Sequence, residues 1–105
     1  MSQNPRSSAS TEVQVFDRLA ADLWKNADEY HSGTISAAQF QTRVEKIKKE
    51  IESLKAPNEG AQNVKNLVID QIDLTLASAK NDDPASAFEE ATAAGEGLIN
   101  WANEL

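Results

Sequence analysis

The chain has 105 residues, 17 acidic against 10 basic side chains, a formal net charge of −7 and no cysteine. That length suffices for one domain whose single core buries about two-thirds of the unfolded surface. The missing thiols exclude a disulfide framework, thiol catalysis and thiolate metal sites, and the negative charge without a basic stripe disfavours nucleic acid, whose phosphates it repels.

Residues 1–10 are polar, lack the hydrophobic region of a secretory leader, and read as a disordered tail ahead of a single helical domain at 11–105. The first helical block, 11–30, places Phe16, Leu19, Leu23, Ala27 and Tyr30 on one stripe, and Thr11 with Gln14 has capping-box spacing. The second, 37–55, repeats the four-and-three spacing through Phe40, Val44, Ile47, Ile51 and Leu54. Glu45 with Lys49 and Lys48 with Glu52 then stand one turn apart on its outer face, where opposite charges support an exposed helix.

Pro57 and Gly60 interrupt the pattern. The third block, Glu59–Lys80, groups Val64, Leu67, Val68, Ile72 and Leu76, with Ile69 and Leu74 widening the stripe. Its β-branched residues give it the weakest intrinsic helix propensity of the four. Asp82, Asp83 and Pro84 form a restart, because an acid caps a helix and proline suits its first position. The fourth block, 84–103, presents Phe88, Ala91, Leu98, Ala102 and Leu105, with Trp101 at its flank. No segment alternates apolar and polar residues at period two for long. Four blocks of similar length and short connections predict an all-α fold, an antiparallel up-down-up-down four-helix bundle.

Between the first two blocks, segment 28–40 resembles an EF-hand calcium loop. Asp28, Ser32, Gly33 and Ile35 fall at positions 1, 5, 6 and 8 of that pattern. It departs at position 3, which is Tyr30, and at position 12, which is Gln39 where the family has a bidentate Glu. The same residues also read as helix punctuation. Gly33 suits a left-handed helix stop, Ser36 and Gln39 form a capping box, and Ile35 with Phe40 makes the matching hydrophobic staple. Punctuation accounts for more of the residues. No metal is expected here, and the metal-responsive hairpin stands as the alternative reading.

In the fourth block, residues 91–97 carry almost no side-chain volume and include Gly95 and Gly97. Each glycine costs about 1 kcal/mol relative to alanine inside a helix. This predicts close helix approach, with Trp24 of the first helix filling the space, against the alternative of a shallow groove where a partner docks.

Enzyme chemistry finds no support. The one histidine, His31, sits at a helix end, where it complements the negative terminus. No serine stands in a nucleophile elbow and no phosphate loop is present. Residues 71–80 resemble small haem-binding four-helix bundles, yet the fourth block has no histidine and the only methionine is Met1. No cofactor is expected.

Charge points elsewhere. Residues 81–105 hold six acids and no base, and the first block has five acids against two bases. First and fourth helices are neighbours in an up-down bundle, so their acids merge into one surface. With Asp82 and Asp83 assigned to capping, Glu89, Glu90, Glu96 and Glu104 remain unexplained. The reading is a non-catalytic protein-interaction module of adaptor, inhibitor or immunity-protein character. Glu89, Glu90, Glu96 and Trp101 are the candidate contacts for a partner protein with a basic surface. The broad stripe from Val64 to Leu76 leaves self-association open. No apolar run approaches the roughly 18 residues of a membrane span, and with no leader and no cysteine the expected location is cytoplasmic.

Overall fold

A computed structural model describes residues 5–104, with side chains described from Val13 to Asn103. Four helices follow in order: α1 Pro5–His31, α2 Ala37–Ser53, α3 Glu59–Lys80 and α4 Pro84–Glu104. There is no strand among the described residues. Each helix packs on its sequence neighbours, α1 closes the ring against α4, and α2 lies diagonal to α4. The architecture is the expected helical bundle.

The boundaries follow local chemistry. At the end of α1, Gly33 takes φ +83°. Its N–H donates to the Tyr30 carbonyl at 3.1 Å, and the Thr34 N–H donates to that of Glu29 at 2.7 Å. These are the two bonds of a Schellman stop. Ser36 then caps α2. Its hydroxyl accepts from the Gln39 N–H at 3.1 Å, while Gln39 Oε1 accepts from the Ser36 N–H at 2.9 Å. Ile35 and Phe40 are both buried in the core, as the staple requires. Asn58 caps α3 by accepting from the Ala61 N–H at 2.8 Å.

Asp82 and Asp83 divide their duties. Asp83 caps α4, its carboxylate accepting from the Ser86 N–H at 3.2 Å. Hydrogen bonding from the Ser86 hydroxyl first, and from this N–H second, holds its pKa below the usual carboxylate value. Asp82 is instead the helix stop of α3, at φ +51°, with the Asp83 N–H reaching back to the Ser78 carbonyl. This repeats the Gly33 arrangement with one of the few other residue types that tolerate it.

Sequence expectations are corrected in α1, α2 and α3. α1 begins at Pro5, which suits a first helical position, so Thr11 lies inside the helix and does not cap it. Of the expected tail at 1–10, residues 1–4 lie outside the described residues and the remainder is helical backbone. On α2, Lys48 does not pair along the helix with Glu52 but crosses to Asp73 of α3 at 2.7 Å. Such exposed pairs contribute little; this one links two helices. Finally, Leu67 and Leu74 are 62% and 49% exposed, because the α3 core stripe runs through Ala61, Val68, Ile72, Thr75, Leu76 and Ala79. The Thr75 hydroxyl is reconciled with burial by donating to the Gln71 carbonyl at 2.7 Å.

Pairs along α1 and α4 fix their antiparallel register. Phe16 packs on Trp101 with ring centroids 4.8 Å apart, and His31 packs on Phe88 at 5.1 Å. Between them Trp24 lies over Gly95. A Cβ at position 95 would overlap the indole Nε1 and Cε2 atoms, and Nε1 donates to the Thr92 carbonyl at 3.3 Å. At position 97 a Cβ would stand 2.8 Å from Val68 Cγ2 of α3. The small residues of α4 thus admit both neighbours, and packing accounts for the two glycines.

Candidate functional site

Two side chains of the hairpin between α1 and α2, Glu29 and Tyr30, are committed to structure. Glu29, one of two acids that would charge a calcium loop, pairs with Arg43 of α2 at 3.0 Å. Tyr30, at the third loop position, is buried and stacks on Phe40 with centroids 4.7 Å apart. Its hydroxyl donates to Asp82 at 2.9 Å. The third ligand position therefore points into the bundle rather than into the loop. Among the described residues, no three His, Asp or Glu side chains gather as a metal set would.

Tyr30 makes the hairpin sensitive to alkali. Burial first, then the hydrogen bond to Asp82 and the charges of Asp82 and Asp83, push its phenol from 10.0 up to about 12. The folded state holds this proton more tightly than the unfolded chain does. The stabilisation is therefore complete below pH 10 and disappears as pH rises from 10 towards 12. Chemical denaturation across that window will show the wild type losing stability more steeply than Tyr30→Phe. Lysines titrate in both proteins, so parallel curves would contradict the assignment.

The four candidate contacts separate. Trp101 is wholly buried, not flanking. The phase of α4 puts Ala87, Ala91, Ala94, Leu98 and Trp101 on the core side, and the indole is needed there because its neighbours along the helix are so small. Its Nε1 has no hydrogen-bond partner among the described residues, and the Lys65 ammonium lies 5.9 Å from the ring centroid. Lys65 itself caps the end of α2 by donating to the carbonyls of Glu52 and Leu54 at 3.0 and 2.7 Å. Glu90 turns towards α3, where the Ser78 hydroxyl donates to its carboxylate at 2.5 Å.

Glu89 and Glu96 remain. Two turns apart on α4, both are exposed, and neither joins an ion pair among the described residues. The side chain of Glu104 lies outside the described ones. α4 therefore presents a narrow outer face of Glu89, Ala93, Glu96 and Asn100. Towards α1 this face borders a shallow depression lined by Trp24, Glu96, Ile99 and Asn100. Towards α3 it borders a groove of about 300 Å³ that includes Val64, Leu67 and Gln71. Trp24, Leu67 and Leu74 are the exposed large apolar side chains of the described structure, and all three stand on the helices that flank α4.

Sequence reasoning finds the acids but misses Leu67 and Leu74 as surface residues. Their spacing carries a signal: an i, i+7 pair offset from the stripe that runs through Val68 and Thr75. No helix among the described residues is long and apolar enough to cross a membrane. No protein-family model, curated protein or solved structure matches the chain.

Proposed function

We propose that the chain is a non-catalytic protein-interaction module, acting in the cytosol, that docks a partner with a basic surface on the outer face of α4. One observation carries this reading: the unpaired acids Glu89 and Glu96 lie between flanking helices that expose Trp24, Leu67 and Leu74. Acids next to exposed apolar side chains supply charge complementarity for encounter and apolar area for retention. Of the other acids, Asp83 caps α4, Asp82 stands at the stop of α3, Glu90 accepts from Ser78, and Asp22, Glu29, Glu50 and Asp73 join ion pairs. The lone histidine, exposed against Phe88, has no acid or nucleophile among its assigned contacts.

Affinity capture from the native host tests the reading with two variants of equal charge change. Glu89→Lys/Glu96→Lys should lose the partner that the wild type retains. Glu45→Lys/Glu52→Lys, on the diagonal helix α2, should keep it. Equal recovery by both variants would end the proposal.

A further inference from the structure

The groove between α3 and α4 has two unlike walls. On α3, Val64, Leu67, Gln71 and Leu74 follow one another at spacings of three, four and three, which forms a line along one helix face. On α4, Glu89, Ala93, Glu96 and Asn100 follow at four, three and four. Both lines have the rhythm of a seam that accepts a further helix. Gly97 keeps the floor low over Val68. With Val68 opposite Gly97 and Ser78 opposite Glu90, Leu67 and Leu74 stand within about one helical turn of Glu96 and Glu89. Val64 and Leu67 make the α3 wall mainly apolar and Glu96 puts an acid on the α4 wall, while Leu74 and Glu89 continue the two lines beyond the groove's lining.

We propose that this groove binds an amphipathic helix of the partner, with its apolar stripe on α3 and its lysines or arginines directed at α4. The inference rests on the docking role of α4 proposed above. Charge complementarity selects this occupant. A second copy of the chain would bring its own Glu89 and Glu96 against these acids, with a net charge of −7 on each copy. A peptide that adds as a β-strand would need a sheet edge to pair with, and the described residues contain no strand. The depression on the α1 side is a poorer seat, because the Trp24 indole is already turned onto Gly95 and bonded to Thr92.

The probe is a synthetic peptide of about 18 residues, helix-forming, with leucines at i, i+3, i+4 and i+7 and lysines on the flank. Controls are a scrambled peptide of the same composition and a version with glutamates in place of lysines. Titration should show salt-sensitive binding of the probe alone, with amide shifts at Leu67, Gln71, Ala93 and Gly97. Leu67→Ser/Leu74→Ser, both exposed positions, should weaken it at least tenfold, about 1.4 kcal/mol. Glu89→Gln/Glu96→Gln should weaken it and flatten its salt dependence. No binding, equal binding of the scrambled peptide, shifts confined to another face, or a wild-type dimer that the leucine variant dissociates would each overturn the inference. If the leucine variant binds normally while the glutamine variant does not, the groove is wrong and the α4 docking face survives. If the glutamine variant binds normally, that broader reading fails too.

Discussion

Replacing Trp101 with alanine is expected to lower the stability of the fold by about 3–5 kcal/mol, the usual cost of deleting a buried large aromatic side chain. A domain of this size has a total of about 5–15 kcal/mol, so a shift that large will be plain in equilibrium urea denaturation. The cause is local composition. Trp101 is the one large aromatic on a helix face otherwise built of Ala87, Ala91, Ala94 and Leu98, and its ring packs on Phe16 at the far end of that face. Trp101→Phe should cost less, because it retains most of the ring packing and removes an indole N–H that has no partner among the described residues. Glu96→Lys, at an exposed position, should change stability by no more than about 0.5 kcal/mol. A Trp101→Ala protein as stable as the wild type would mean that the indole is a surface group.

The second large effect runs against helix propensity. Alanine is favoured over glycine inside a helix by about 1 kcal/mol, yet Gly95→Ala is expected to destabilise by about 1–3 kcal/mol through overpacking. The added methyl would occupy the volume of the Trp24 indole. The ring must swing outward, and its bond to the Thr92 carbonyl is lost. In a Trp24→Ala background the obstruction is gone, and the same substitution should become neutral or stabilising. This sign reversal in a double-mutant cycle isolates the contact. A Gly95→Ala protein more stable than the wild type would show that the two groups do not meet.

Much of the fold is legible in the sequence because its helices are punctuated by strong local signals. Ser36 with Gln39, Gly33, and Asp83 before Pro84 each act within a few residues, so no tertiary knowledge is needed to place them. The Trp24–Gly95 contact is legible for a different reason: a run of residues without volume must receive something bulky from a neighbouring helix. Where the reading fails, the phase of a helix fails with it. Trp101 sits at four-and-three spacing from Ala87 through Ala91, Ala94 and Leu98, but alanines give a weak apolar signal, and Phe88 draws the stripe one position away. On α3 the abundance of apolar residues widens the stripe until Leu67 and Leu74 look internal. The α1 start is obscured because Thr11 and Gln14 match a cap in spacing while the helix is already under way from Pro5.

The candidate site is legible only as charge. Glu89 and Glu96 stand out because nothing local explains them, whereas Glu90 looks identical in the sequence. Only the position of Ser78 on the neighbouring helix distinguishes it. The apolar wall opposite is a property of two helices side by side, which no local spacing encodes.

The central claim, that the outer face of α4 meets a partner, is tested most directly by a photo-crosslinking residue placed at Asn100 and, separately, at Lys49 on α2, both exposed, in the native host. The account predicts a discrete adduct from position 100 that disappears in the Glu89→Lys/Glu96→Lys background, and none from position 49. An adduct from position 49 alone, or one from position 100 that survives the charge reversal, would contradict it.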